Sequence, residues 1–161
     1  WGVEMKDVIH SISFLGEGGD VVERSRSRLK FSYRNLDFPS SWIILKGRFQ
    51  LKRGAKEGIL EVMKSYSERR RRTHPLDYPS AGSIFKNPKE GPAGKWIEEA
   101  GLKGCRMGQA MVPDLHANFI VNLGKATARE VIDLMEWVER KVYEKKGISL
   151  EKEVKVIGEA E

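Results

Sequence analysis

One cysteine, Cys105, is the entire thiol content of this chain, which excludes an internal disulfide framework and suits a reducing compartment. No apolar run approaches the ~20 residues that span a bilayer, and no secretory leader pattern opens the sequence. Internal repeats and low-complexity linkers are absent as well. The three histidines, His10, His74 and His116, stand far from one another and from the Cys and carboxylate spacings of a metal site, so no metal is expected. A Gly-x-Ser-x-Gly elbow is also missing: residues 81–85 read Ala-Gly-Ser-Ile-Phe. A Ser83/His74 nucleophilic pair would therefore lack the usual framework.

What remains is a 161-residue chain, 40% hydrophobic and 32% charged, which reads as globular and long enough for one or two modest cores. Its formal net charge of +6 favours anionic partners such as a nucleotide, a phosphorylated metabolite or nucleic acid. It opens on Trp1-Gly2 rather than methionine and runs directly into structured-looking sequence. The expectation is a fragment or a processed chain.

The most informative stretch is Pro79-Ser80-Ala81-Gly82-Ser83-Ile84-Phe85-Lys86-Asn87-Pro88. Gly82 lets the backbone enter conformations barred to other residues and approach a ligand closely. Ser83 then stands on a tight turn beside apolar side chains that exclude water, where a hydroxyl donates a proton or binds an oxyanion. Lys86 and Asn87 add a cation and an amide suited to phosphate or carboxylate. An ordinary Gly/Ser/Pro turn accounts for the same residues.

Along the chain, residues 8–15 alternate and read as a strand, Gly16–Asp20 as a hairpin turn, and Val21-Val22 as the return. Trp42–Leu51 reads as a further strand. From Ala55 to about Arg72 the pattern is helical, with Ile59, Val62, Met63 and Tyr66 on one face. Residues 73–92 are loop-rich. A short helix covers Ala93–Ala100 and stops at Gly101; residues 105–112 and 116–123 read as two strands. Thr127-Ala128-Arg129-Glu130 is a capping box, and Val131, Leu134, Met135, Val138 and Val142 follow at helical spacing until Gly147. Residues 128–146 would make a helix roughly 28 Å long. Ile148–Ile157 alternates and reads as a closing strand. The order predicts an α+β fold.

Arg69–Arg72 is a run of four basic residues at the end of a predicted helix, where cations complement the carbonyl dipole. A nucleic-acid surface would need more basic residues and stacking aromatics on the same face. His10 reads as a surface residue on the polar side of its strand; His74, before Pro75 and so biased to extended backbone, is placed to line the loop that presents Ser83, and His116, opening a strand, to face a pocket.

Four blocks in order carry a family resemblance: Phe31-Ser32-Tyr33-Arg34, the Pro79–Pro88 stretch, His116-Ala117-Asn118-Phe119-Ile120-Val121-Asn122, and Leu150–Gly158. Together they resemble UDP-N-acetylenolpyruvoylglucosamine reductase, a flavoprotein of bacterial peptidoglycan synthesis, in the shorter form of that family. The resemblance implies a cytoplasmic, FAD-dependent reductase that uses NADPH to reduce the enolpyruvyl group of UDP-N-acetylglucosamine enolpyruvate. It implies that Ser83 is the general acid, and that Arg34 and Glu153 stabilise the enolate-like charge beside the substrate carboxylate. Such roles are physically sound. A guanidinium is a forked donor, a carboxyl group kept neutral by its site donates a hydrogen bond, and preorganised donors stabilise developing charge.

Binding roles follow less firmly. Asn87 matches an asparagine near the diphosphate, and Lys103 a lysine at the nucleotide. His74 and His116 stand where some members have lysine and glutamine, and Tyr33 neighbours the arginine. The resemblance further implies three segments. Residues 1–72 are the end of a second, incomplete FAD-binding domain, 73–147 a small α+β substrate-binding domain, and 148–161 a strand returning to the flavin domains. The N-terminal FAD-binding region is missing, Trp1-Gly2 being the tail of its last loop. No membrane or nucleic-acid partner is expected, and the fragment alone is expected to be inactive. From the residues themselves, a nucleotide-sugar-binding module without turnover and a basic nucleic-acid-binding domain stay open as alternatives.

Overall fold

The computed structural model describes residues 2–158; Trp1, and with it part of the loop reading at the start of the chain, lies outside them, as do residues 159–161. The chain divides into two compact units, Trp1–Ile59 and Leu60–Glu161.

In the first unit a single helical turn, α1 (Met5–Val8), leads into β1 (Ile9–Leu15). The alternation seen in the sequence is real: Ile9, Ser11, Ile12 and Phe14 are buried and His10 is exposed. The glycine turn returns the chain as β2 (Val21–Ser25), antiparallel to β1 with Leu15 opposite Val21. Ser11, although buried, is satisfied: its hydroxyl donates to Glu23 Oε1 at 2.6 Å. That bond, with Arg48 nearby, holds the Glu23 carboxyl below its ordinary pKa. β5 (Ile43–Phe49) pairs with the other side of β1, giving the order β2-β1-β5. A small core of Ile9, Ile12, Phe14 and Leu29 is backed by Phe38 and Trp42, and the Arg24 guanidinium lies 4.6 Å from the Trp42 ring in a cation–π contact.

The sequence reading missed one element here. β3 (Lys30–Ser32) and β4 (Asn35–Asp37) form a separate two-stranded hairpin, with Tyr33 and Arg34 as its turn. Three-residue strands carry too little pattern to be read from alternation.

The helix α2 (Lys56–Thr73) has the expected bounds within a residue, but none of its residues is buried, and Ile59, Val62, Met63 and Tyr66 are all exposed. The second unit is a four-stranded antiparallel sheet, β6 (Ser80–Ser83), β9 (Phe119–Asn122), β8 (Ala110–Met111) and β7 (Arg106–Met107), in that spatial order. Two helices join it: α3 (Ala93–Glu99) and α4 (Ala128–Lys146). α4 packs on β7, β8 and α3, burying Leu134, Met135, Val138 and Val142 against Ile97, Leu102 and Ile120. At about 1.5–3 kcal/mol for each fully buried large side chain, this stripe is what fixes the helix to the sheet. The capping box is present as read: Thr127 Oγ1 accepts from Glu130 N–H at 3.2 Å, and Glu130 Oε2 from Thr127 N–H at 3.0 Å. Gly147 ends the helix at φ 67°.

Three readings of this unit need correction. Residues 105–112 are not one strand but the hairpin β7–β8, because Gly108, at φ 54°, turns the chain. Residues 116–123 contribute only Phe119–Asn122 as strand, so His116 lies in the preceding loop. Ile148–Ile157, read as a strand, is extended chain with a single bridge, Lys152 to Phe85. Its backbone bonds go to the Ser83 loop of its own unit: Lys86 N–H to Glu151 O at 2.8 Å and Glu153 N–H to Ile84 O at 2.7 Å. Apolar alternation there reflects contact with the core, where Leu150 is buried and Val154 partly so, and not a ladder. A strand was also overlooked in the loop-rich 73–92 region: β6, whose Ser, Ala and Gly residues carry no strand signal.

Candidate functional site

Ser83 ends β6, directly after Gly82 at φ 84°. Between Ser80, opposite Val121, and Ser83, opposite Phe119, the pairing with β9 slips. A β-bulge of this kind re-aims a side chain, and a residue other than glycine would be strained at position 82. Ser83 is half-buried, and the following Ile84 and Phe85 are both 2% exposed. Its hydroxyl makes no hydrogen bond among the described residues, so a ligand can take it.

Glu153, distant in sequence, is carried to this loop by the bond from its N–H to Ile84 O. One backbone hydrogen bond thus separates the residue after Ser83 from Glu153, itself half-buried. The structure thus brings the backbone of Glu153 beside the residue that follows Ser83, at the margin of a packed core.

The two histidines also meet. The rings of His74 and His116 lie 5.7 Å apart, and both stack edge-on with Phe119, at 5.4 and 4.8 Å. Phe119 is the residue opposite Ser83 in the sheet. Nδ1 of His116 accepts the Asn118 backbone N–H at 3.2 Å, which leaves Nε2 to carry the proton of the neutral ring. Burial pushes the His116 pKa down, and the neighbouring His74 lowers it further. His74 Nδ1 is 2.8 Å from the Thr73 hydroxyl.

Other candidates have structural partners. Asn87 Oδ1 accepts from Ala93 N–H at 3.0 Å and so caps the start of α3. Lys103 Nζ is 2.7 Å from Glu98 Oε1, and Lys86 Nζ is 2.5 Å from Glu151 Oε1. Tyr33 and Arg34 belong to the other unit. Arg34 is a non-glycine residue at φ 57°, a conformation that costs energy for such a side chain, and its guanidinium lies 5.6 Å from the Tyr33 ring. The hairpin turn presents both residues outward.

Asn118 was given no role in the sequence reading, although it lies within one of the quoted blocks. It is a buried polar residue, 4% exposed. Oδ1 accepts from Phe85 N–H at 3.0 Å, Nδ2 donates to Phe85 O at 2.8 Å, and its own carbonyl accepts from Ile84 N–H at 3.0 Å. The available signal was an amide set between Ala117 and Phe119 in an otherwise apolar segment.

Among the described residues no group of three or more His, Cys, Asp or Glu side chains is placed to hold a metal ion, and no helix is long and apolar enough to cross a membrane.

Comparison with known proteins places this geometry in context. Residues 74–157 match the family model described as UDP-N-acetylenolpyruvoylglucosamine reductase, C-terminal domain. A protein of that name from Caldanaerobacter subterraneus subsp. tengcongensis is 43% identical over 160 residues, covering 99% of this chain and 53% of its own length. Its namesake from Syntrophus aciditrophicus is 44% identical over 159 residues, with 99% and 51% covered. The crystal structure of UDP-N-acetylenolpyruvylglucosamine reductase from Thermus caldophilus superimposes with a TM-score of 0.80 at 37% identity, over 94% of this chain and 54% of that one. The chain spans about half the length of the relatives it matches.

Proposed function

The chain belongs to the UDP-N-acetylenolpyruvoylglucosamine reductase family, and on that premise we propose that it is the substrate-binding half of such a reductase. The observation that carries the reading is the junction at Ile84, whose carbonyl accepts the Glu153 N–H and so brings two distant segments, one bearing Ser83 and the other Glu153, side by side. The reaction is reduction of the enolpyruvyl double bond of UDP-N-acetylglucosamine enolpyruvate to the lactyl ether of UDP-N-acetylmuramate. FAD, when bound and reduced by NADPH, would supply the hydride.

Among the described residues, the glycine-rich stretch Gly16–Gly19 does not offer a cradle for the flavin diphosphate: it is committed to the β1–β2 hairpin, with Gly16 N–H bonded to Asp20 O and Gly19 N–H to Gly16 O. In this proposal the flavin rests chiefly on further polypeptide. β5 supports that arrangement: every residue of this edge strand is exposed, Ile43, Ile44, Leu45 and Phe49 included. Long apolar edges are normally covered.

The chain's own share is proton transfer and charge stabilisation. Ser83 gives the proton to the substrate carbon next to the one reduced. The family resemblance assigns Arg34 the substrate carboxylate, through its forked donors, and Glu153 a hydrogen bond to the charge that develops on the substrate. His74, His116, Lys103 and Asn87 are assigned to nucleotide and substrate binding, with Asn87 also fixing α3, and Tyr33 is assigned a substrate or flavin neighbour's part from the resemblance.

Hydrogen exchange with UDP-N-acetylglucosamine tests the binding half of the reading. Protection is expected across residues 79–88 and 103–118. Protection by random DNA at Arg69–Arg72, with none at the serine loop under UDP-sugar, would replace it with the nucleic-acid reading.

A further inference from the structure

We propose that Asn118 is a positioning residue: its side chain replaces a missing stretch of sheet and thereby fixes the backbone that carries Ser83 beside the segment that carries Glu153. The proposal rests on the acid role given to Ser83 above. In the β6–β9 pairing, Ser83 faces Phe119. Continued by two residues, the ladder would bring Phe85 opposite Ala117, but β9 begins only at Phe119, and Phe119 N–H is bonded to His116 O in a turn. No strand backbone is left to meet Phe85. The Asn118 carboxamide meets it instead, accepting from its N–H and donating to its C=O. A side-chain amide has the same donor and acceptor as a peptide group, which is why it can close the gap.

The consequence reaches both proposed acid–base groups. Phe85 is fixed on one side by Asn118 and bridged on the other to Lys152. Ile84 gives its N–H to Asn118 O and receives Glu153 N–H at its own carbonyl. Ser83 is therefore tethered one peptide from a junction whose other end is Glu153, and the clamp at Phe85 is what keeps that junction from sliding. Without Asn118, two peptide groups of Phe85, a residue 2% exposed, lose their partners. Buried polar groups left unpaired drive local rearrangement. Geometry looser by about 1 Å is enough to cost a catalytic group much of its effect.

Two measurements on Asn118→Ala decide the matter, with Asn118→Asp, which keeps one of the two bonds, carrying them if the alanine variant does not fold. In the chain itself, NMR hydrogen exchange should show the Phe85 and Glu153 amides exchanging at least ~10-fold faster, with Leu134 and Val138 in α4 unchanged. An equal rise at all four sites would reduce Asn118 to a general stability residue, and no rise at Phe85 would deny the clamp; either overturns the proposal. In a reductase made by joining this chain to the N-terminal half of the Caldanaerobacter protein, stopped-flow traces should show flavin reduction by NADPH unchanged. Flavin reoxidation by enolpyruvyl substrate should slow by ~10-fold or more. Ser83→Ala run in parallel separates the two readings. If Ser83→Ala slows reoxidation and Asn118→Ala does not, the positioning role is lost and the acid role survives. If Ser83→Ala slows nothing, the acid role fails, and Asn118 keeps only its clamp.

Discussion

The Glu130 carboxylate occupies the space that a β-carbon on Gly108 would need. The same carboxylate caps α4 through Thr127 N–H at 3.0 Å and reaches Gln109 N–H at 3.4 Å. One side chain thus joins the start of the longest helix to the turn of the β7–β8 hairpin.

Gly108→Ala should therefore destabilise the chain twice over, through its φ of 54° and through collision with Glu130, by more than ~1 kcal/mol. Adding Glu130→Ala removes the collision. The double variant should be less destabilised than the sum of the two single ones in urea titrations. Strict additivity would mean that the carboxylate does not fill this space.

Thr127→Ala should cost about 1 kcal/mol through loss of the helix cap, and Thr127→Ser should restore most of it. Urea midpoints with an unchanged slope check this.

Acidification should weaken the second unit in a window set by His116. Its folded pKa is lowered by burial and by His74, so the unfolded chain takes up the proton first. The stabilising contribution is full above the unfolded value near 6.5 and is lost as pH falls from there through the folded value. Melting temperature should drop between about pH 7 and 5, and His116→Gln should flatten that slope. An unchanged slope would show that His116 does not govern the window.

Ser83→Ala, in the joined reductase, should leave flavin reduction by NADPH nearly intact while slowing reoxidation by substrate ~100-fold or more, as loss of a general acid does. Glu153→Gln should show the same split to a lesser degree, since the amide still donates. Arg34→Lys should weaken substrate binding and turnover together, because a point charge is not a forked donor. Equal slowing of both half-reactions by Ser83→Ala would make the serine a flavin-positioning group instead.

Long, strongly patterned elements were legible from sequence: α2 and α4 with its capping box, β1 with its glycine turn, and β5. Their signals are local and repeated over many residues; burial and a cap stand behind them in β1 and α4, whereas α2 and β5 follow the periodicity alone and bury none of their residues. The shorter pieces were not. β3, β4, β7 and β8 span two or three residues each, and β6 is built from Ser, Ala and Gly, held by its partner and not by its own preference. The Ile148–Ile157 segment shows the opposite error, since alternation without a neighbouring strand looks the same in sequence as alternation with one. At the site, Ser83 stood out from its own loop and Glu153 only from resemblance, and the meeting of their segments through Ile84 depends on tertiary pairing that no spacing encodes. Asn118 escaped because a buried amide is recognised by what surrounds it.

The bonds on residues 84–86 also impose a timetable on a growing chain. Asn118 is made first and can engage Phe85 once β9 emerges, whereas Glu151 and Glu153 follow only after the whole of α4. The 65 residues from Lys86 to Glu151 take roughly 3 to 13 s to synthesise at about 5–20 residues per second. For the latter part of that interval the serine loop is held from one side alone, and the nascent protein carries a half-built site whose second wall is still inside the ribosome.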